Sequence, residues 1–131
     1  MSFVVNALWE AFARSGVSWV GFYLPGDSGN ELLLGHRRDR PACSPIGLHG
    51  VCGRAFRERT PVVVGDVADL GPDYIACDPR DRSEVVVPLL GPEGECTAVL
   101  DLDSHQVGSF DESDVAGLRD LLKAAGLTFP A

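Results

Sequence analysis

The sequence predicts an α+β fold, in which helices pack on an antiparallel sheet. Two pairs of strand-like segments are each joined by a short turn containing glycine and proline, which is typical of antiparallel neighbours. Apolar residues recur at helical spacing near both ends of the chain. Adjacent strands joined by tight turns, together with flanking helices, indicate an α+β domain.

The N-terminal third predicts a helix followed by a hairpin. A short amphipathic helix ends at Gly16. Residues 17–24 are rich in aromatic and β-branched side chains and predict a strand, and residues 31–35 predict the returning strand after a turn over 25–30. Residues 36–46 are polar, charged and contain two prolines, so we expect a surface loop there.

The middle of the chain predicts a helix over residues 48–59, which glycines open, and a short strand over 61–64. Residues 65–82 follow as a long irregular segment. Loops longer than about 12 residues inside a compact domain usually have a function or are disordered.

Two apolar strands, 83–90 and 95–103, are joined by the turn Gly-Pro-Glu-Gly. Residues 109–112 have the form of a capping box and predict the start of a last helix, which Gly126 ends. We therefore expect a single domain over residues 1–131, with a short N-terminal helix over 1–16 and the core over 17–126.

The composition is that of an ordinary globular domain, with 45% hydrophobic and 23% charged residues among 131. A chain of this length can bury a core without metal or disulfide bonds. The formal net charge of -8 argues against nucleic acid or an anionic membrane as a partner, because both attract basic surfaces. No apolar run approaches the roughly 20 residues that span a bilayer.

The N-terminus lacks the basic start of a signal peptide, so we expect a cytoplasmic protein. Thiols stay reduced in that compartment. Several cysteines in such a protein more often indicate catalysis, redox sensing or metal binding than permanent cross-links.

Strand alternation places Trp19, Gly21 and Tyr23 on one face of the first strand. The opposite face carries the residues that we expect in the core: Val20, Phe22 and Leu24. Two aromatic side chains around a glycine leave space above Gly21 that a small ligand could occupy. Simple packing of the aromatic rings is the alternative.

Alternation also places Asp101 and Asp103 together, on the face opposite Leu100. Cys96 falls on the apolar face, and we expect it in the core. Two carboxylates on one strand face raise each other's pKa. With Glu84, they predict either a solvated strand end or a pocket for an ammonium group.

Three cysteines, Cys43, Cys52 and Cys77, stand in separate local contexts and form no CxxC pair. They suggest thiol chemistry in which one cysteine attacks a substrate and another, brought close by folding, resolves the product. Cys52 lies between two glycines, where packing under a tight turn is favoured over catalysis.

Several motifs occur in order at compatible spacings: WVGFYL at 19–24, PAC at 41–43, GVCG at 50–53, DV at 66–67, IACD at 75–78, RSEVVVPL at 82–89 and VLDLDS at 99–104. Together they resemble the free methionine-(R)-sulfoxide reductases, which are single GAF domains. The resemblance runs from about residue 19 to residue 122. It implies a six-stranded antiparallel sheet flanked by helices, and a homodimer.

The resemblance also implies roles for individual residues. Cys77 matches the catalytic cysteine, Cys43 the resolving cysteine, and Cys52 an auxiliary thiol. The remaining positions match the substrate site, with acids Glu84, Asp101 and Asp103 and an aromatic wall formed by Trp19 and Tyr23.

The activity that the resemblance implies is reduction of free L-methionine (R)-sulfoxide. Cys77 would become a sulfenic acid and then form a disulfide with Cys43, which thioredoxin or a similar dithiol would reduce. Neither a metal nor an organic cofactor is implied. One of the three acids would donate the proton that the sulfoxide oxygen needs.

The chain departs from the family pattern at a few positions. The N-terminal segment is short, residues 36–40 are unusually charged, and Cys96 is extra. His49 stands where arginine is common, and Tyr74 where histidine is usual.

Two other functions remain open from the residues. One is a GAF module that binds a small ligand or senses redox state without catalysis. The other is a structural zinc site that uses Cys43, Cys52, Cys77 and a histidine, although the spacings lack the usual knuckle.

Overall fold

The structure, a computed structural model, describes residues 1–74 and 77–129, with the side chains of residues 72 and 73 left out. One six-stranded sheet has the strand order β3-β2-β1-β6-β5-β4, and every neighbouring pair is antiparallel. The elements in chain order are α1 (Ser2–Phe12), β1 (Val17–Pro25), β2 (Glu31–Arg38), β3 (Ile46–Gly47), α2 (Val51–Glu58), β4 (Val62–Val64), β5 (Ser83–Leu90), β6 (Cys96–Ser104) and α3 (Glu112–Ala124). The predicted α+β class and antiparallel sheet are confirmed.

The two hairpins β1–β2 and β5–β6 meet in the middle of the sheet, where β1 pairs with β6. This pairing joins segments that are about 80 residues apart in sequence and sets the register of the site. Trp19 lies opposite Asp103, and Gly21 lies opposite Asp101. Glu84 on β5 lies opposite Asp103 from the other side.

The sheet separates two apolar clusters, as strand alternation predicts. Helices α1 and α3 cover one face, where Val20, Phe22 and Leu100 are fully buried. Helix α2 covers the other face, where Trp19 and Tyr23 are buried. The prediction that the two sets of side chains on β1 point to opposite faces is confirmed.

The ends of the helices follow local signals. Helix α1 passes through a 3₁₀ turn and ends at Gly16, which has a φ of 108°. At the start of α3 the side chain of Asp111 accepts hydrogen bonds from the N–H groups of Ser113 and Asp114, and Asp114 completes the capping box. The box predicted over residues 109–112 is therefore wrong by two residues. Ser109 instead exchanges a hydrogen bond of 2.7 Å with the hydroxyl of Ser104.

The second strand extends into the segment that composition predicted to be a loop. Strand β2 continues to Arg38 because β1 offers it partners: Gly21 pairs with Arg37, and Val20 with Arg38. Pairing with a neighbouring strand outweighs local polarity here. The two-residue strand β3, which pairs with the start of β2, was not predicted, because so short a segment carries no periodicity.

The expected position of Cys96 is also wrong. Simple alternation places it on the face of Leu100, but it is half-buried against the opposite cluster. The pairing of β5 with β6 shifts between Leu89 and Leu90, which oppose Ala98 and Cys96. Such a bulge inverts the alternation beyond it.

Within residues 1–74 and 77–129, no helix combines the length and the apolar character needed to cross a bilayer.

Candidate active site

A cavity of about 390 Å³ opens on the sheet face that α2 covers. Its floor consists of acidic side chains of β5 and β6, and its walls include aromatic side chains of β1 and Tyr74. The loop between β2 and β3 and the segment that begins at Cys77 border its mouth. Strands position the floor and walls, whereas loops carry the groups at the mouth.

Cys43 and Cys77 form a disulfide at this mouth, with their Cα atoms 5.7 Å apart. The two residues are 34 positions apart in sequence, and both are exposed. The expectation that folding brings these two cysteines together is confirmed. A zinc site that uses both thiolates is incompatible with this pairing, because each sulfur is bonded to the other.

The aromatic residues of β1 hold the loop that carries Cys43. The Trp19 Nε1–H group donates a hydrogen bond of 2.9 Å to the Arg40 carbonyl. The Tyr23 hydroxyl donates one of 2.9 Å to the Cys43 carbonyl. Both rings are therefore buried while their polar atoms form hydrogen bonds with the loop.

Of the two interpretations of the face that carries Gly21, ring packing is correct above the glycine and a ligand space there is wrong. The six-membered ring of Trp19 lies over the Cα of Gly21, so closely that a Cβ atom at position 21 would overlap it. The glycine therefore makes room for the indole rather than for a ligand. The cavity lies beside the ring, toward the acidic floor.

The three acids predicted from the strand pattern converge on the floor. Glu84, Asp101 and Asp103 are only 6%, 4% and 8% exposed, so the solvated strand end is the wrong interpretation. Burial raises the pKa of each carboxyl well above its usual range. The second cause is in each case the charge of a neighbouring acid, because cross-strand pairing holds all three together.

One oxygen of this floor lacks a hydrogen bond. Among the residues that the structure describes, Oδ1 of Asp101 is a buried side-chain atom without a partner. A buried carboxylate oxygen that is not hydrogen-bonded is costly, and a bound polar group would satisfy it. The floor is thus suited both to hold a proton and to accept a hydrogen bond from a ligand.

Cys52 lies beneath the cavity in the first turn of α2 and is buried. Its sulfur lies within 4.8 Å of carboxylate oxygens of Glu84 and Asp101. Burial, followed by the charge of Asp101, raises its thiol pKa well above the usual value. A thiol held in the protonated form is a poor nucleophile. Gly53 beside it has no room for a side chain, because a Cβ there would overlap the backbone of Leu48.

Sequence reasoning missed a group of charged residues at the mouth. The Asp78 carboxylate contacts Arg80 at 3.0 Å, His105 at 3.2 Å and Arg40 at 3.7 Å. The charge of Arg80, three residues after Cys77, is thus matched by Asp78. The adjacency of Asp78 to Cys77 in sequence is a signal that could have pointed to it.

Asp81 belongs to the same group and is 7% exposed. The Ser18 hydroxyl donates a hydrogen bond of 3.3 Å to it, and His105 lies 3.7 Å away. Burial, followed by the charge of Asp78, raises the pKa of Asp81 to about 6.

Comparison with known proteins adds independent information. The profile of the GAF domain matches residues 1–129. The chain is 42% identical over 121 residues to GAF domain-containing protein A of Dictyostelium discoideum, covering 92% of this chain and 73% of that protein. It is 35% identical over 122 residues to the free methionine-R-sulfoxide reductase of Saccharomyces cerevisiae, covering 90% and 67% respectively.

A solved structure is also similar to this chain. The X-ray structure of free methionine-R-sulfoxide reductase from Neisseria meningitidis, in complex with its substrate, matches this fold with a TM-score of 0.84 and 44% identity. The match covers 93% of this chain and 71% of that chain. This chain therefore spans between 67% and 73% of the length of these three relatives.

Proposed function

Because this chain belongs to the GAF domain family, and within it to the free methionine-R-sulfoxide reductases, we propose that it reduces free L-methionine (R)-sulfoxide to methionine. The observation that carries the proposal is the Cys43–Cys77 disulfide at the mouth of a cavity with a buried acidic floor. A disulfide at that place is the product that a thiol reductase leaves after one turnover.

The cavity supports binding of one free amino acid. Its volume of about 390 Å³ is in the range of small-ligand sites. One ionised acid of the floor would bind the α-ammonium group, which a residue inside a peptide lacks. The N–H groups at the start of α2, near Val51 and Cys52, would receive the carboxylate. Trp19 and Tyr23 would shelter the methyl group.

Cys77 is the proposed nucleophile, and it attacks the sulfur of the sulfoxide. The thiol is oxidised to a sulfenic acid and the sulfoxide is reduced to a thioether, so that one oxygen atom changes carrier. The sulfoxide oxygen needs a proton as its bond to sulfur weakens. One of Glu84, Asp101 and Asp103, whose raised pKa keeps it protonated, supplies that proton.

The second half of the cycle uses Cys43. Its thiol condenses with the sulfenic acid of Cys77 to give the disulfide and one water. Thioredoxin or a similar dithiol then reduces the disulfide by exchange. The exposure of both cysteines supports access by such a reductant. A dithiol reductant of this kind also places the protein in a reducing compartment, which we propose is the cytoplasm.

We also propose a homodimer, as in the family that the chain resembles. Exposed aromatic side chains on α1, Phe3 at 74% and Phe12 at 45%, are apolar surface that a second copy could cover. Light scattering should then give about 28 kDa, which is twice the 14.0 kDa of one chain.

The test of the activity is NADPH consumption with thioredoxin and thioredoxin reductase. We expect turnover with the free R sulfoxide, and none with the S epimer or a peptide-linked sulfoxide. Cys77→Ser should abolish turnover, Cys43→Ser should allow one round only, and Cys96→Ser should retain turnover because Cys96 lies outside the cavity. Full activity of Cys77→Ser would refute the mechanism. Binding of the sulfoxide by the wild-type protein without turnover would instead indicate a sensor.

A further inference from the structure

We propose that Asp78 is a positioning residue that aligns the Cys77 segment with the Cys43 loop, and so sets how readily the two sulfurs join. The inference rests on the proposed function, in which Cys77 becomes a sulfenic acid and Cys43 condenses with it. In that step an S–S bond forms and the S–O bond of the sulfenic acid breaks. The hydroxyl leaves with the proton of the Cys43 thiol as one water, so no further oxidant is needed.

Asp78 shapes the segment directly after Cys77. Its Oδ1 accepts hydrogen bonds from the backbone N–H and from Nε of Arg80, each at 3.0 Å. Its Oδ2 accepts one from Nη2 of Arg80, also at 3.0 Å. The side chain therefore closes a tight turn and binds the guanidinium through both oxygens.

The same carboxylate reaches two other segments. Arg40, in the loop that carries Cys43, places Nη1 3.7 Å from Oδ2 of Asp78. His105, which directly follows β6, places Nε2 3.2 Å from the same oxygen. Among the ion pairs of residues 1–74 and 77–129, Arg40–Asp78 alone joins the Cys43 loop to the Cys77 segment.

Arg40 is suited to this role because both of its ends are held. Its carbonyl accepts the hydrogen bond of Trp19, which anchors the main chain to β1. Its guanidinium then reaches across to Asp78. The network thus connects the rigid sheet to both cysteine-bearing segments, through contacts additional to the disulfide.

The expected effect is modest but specific. The side chains of Arg40 and Asp78 are 54% and 27% exposed, and exposed ion pairs contribute little individually. Closure of a disulfide within one chain, however, depends on the effective concentration of the two thiols. Contacts that hold the segments in register raise that concentration, and salt weakens them. We expect an effect of about two- to fivefold, in the upper part of the range for exposed ion pairs.

Two variants isolate the charge of Asp78. Asp78→Asn keeps an oxygen that can accept the Arg80 N–H, so the turn is retained while the charge is lost. Arg40→Gln removes the partner on the other segment. Glu58→Gln and Arg54→Gln are matched controls, since they break an exposed pair of 3.5 Å on the outer side of α2.

Two measurements are made on each purified variant of residues 1–131. The first is the equilibrium between the Cys43–Cys77 disulfide and glutathione, in the absence of any sulfoxide. The second is the rate of disulfide closure after the reduced protein meets one equivalent of free methionine (R)-sulfoxide. Asp78→Asn and Arg40→Gln should each lower the equilibrium constant for disulfide formation and the closure rate by about two- to fivefold. The double variant should show no larger effect than Asp78→Asn. The controls should match the wild type, and raised salt should move the wild type toward the variants.

The outcomes separate this inference from the proposed function. Equilibrium constants and closure rates equal to those of the wild type within experimental error, for both variants, would overturn the role of Asp78, even if the enzyme turns over. Failure of the wild type to form methionine would refute the proposed function, while the glutathione equilibrium would still test Asp78. If Asp78→Asn does not fold, Arg40→Gln at an exposed side chain decides the question alone.

Discussion

At the scale of single residues, the acidic floor is where the proposed function and stability oppose each other. Glu84, Asp101 and Asp103 are buried side by side on paired strands, and each is held toward its protonated form by burial and by its neighbours. A carboxyl with a raised folded-state pKa binds its proton more tightly in the folded protein. It therefore stabilises the fold below its ordinary pKa, and that stabilisation is lost as the pH rises through the raised value.

Asp101→Asn should consequently stabilise the protein while impairing catalysis. At pH 8 the free energy of unfolding should rise by about 1–2 kcal/mol, because a buried group that resists ionisation is replaced by a neutral one. At about pH 4, where the acid is largely protonated in the folded state, the gain should vanish. Thermal unfolding at both pH values measures the difference, and turnover should fall by about a hundredfold.

Asp120→Asn on the exposed surface of α3 is the control and should change neither quantity. The measured quantity is the free energy of unfolding of Asp101→Asn minus that of the wild type. If this difference were smaller at pH 8 than at pH 4, the explanation given for the acidic floor would be contradicted.

At the scale of elements, β1 serves both apolar clusters and the site. One face packs Val20 and Phe22 under α1 and α3, and the other supports Trp19 and Tyr23, whose polar ends hold the Cys43 loop. Gly21 is the point at which this strand must give way to the indole. The geometry of the loop thus depends on a position that carries no side chain.

Gly21→Ala should destabilise the fold by about 1–3 kcal/mol, because the new Cβ overlaps the Trp19 ring and displaces it. Loss of the hydrogen bond to Arg40 should then slow turnover as well. Chemical denaturation and steady-state kinetics measure the two effects. A second change, Trp19→Phe, removes the ring atoms that clash and should restore part of the stability.

The same substitution in α3 is the control. Gly117→Ala places a Cβ where no atom lies within 4 Å, and it should stabilise the helix by about 0.5–1 kcal/mol. If Gly21→Ala were as stable as the wild type, the close approach of Trp19 would not constrain the strand.

At the scale of the whole molecule, the disulfide joins two loops that the sheet alone does not connect. It closes a segment from Cys43 to Cys77 that includes α2 and β4. Closing a loop of this length restricts the unfolded chain. The oxidised and reduced proteins should therefore differ in global stability as well as in reactivity.

Reduction with a dithiol should lower the free energy of unfolding by up to about 4 kcal/mol, as loop-closure entropy predicts for this length. Thermal unfolding with and without the dithiol measures the change. Cys77→Ser should be insensitive to the reductant, because it cannot form the bond. If the oxidised and reduced wild-type proteins were equally stable, the disulfide would not lower the conformational entropy of the unfolded chain as assumed.

Much of the site was predictable because the relevant signals are local. Period-two alternation was enough to place Asp101 with Asp103 and to separate Trp19 from Val20. Alternation failed at Cys96, where a bulge in the partner pairing inverts it, and polarity failed at Arg38, which pairs with β1. In both cases pairing with the other strand of the hairpin decided the conformation, and the register of that pairing cannot be read from the pattern of one strand.

The sequence alone therefore determined the α+β class and most of the faces of the strands, because these depend on residue type and short-range periodicity. Only the tertiary structure decided that the acids are buried, that Trp19 fills the space above Gly21, and that Asp78 contacts Arg40 and His105. The burial of the acids and the contacts of Asp78 join segments far apart along the chain, and the Trp19 ring that lies over Gly21 donates its hydrogen bond to Arg40 of another segment. Such contacts are set by strand pairing and loop packing, which no local pattern of residues encodes.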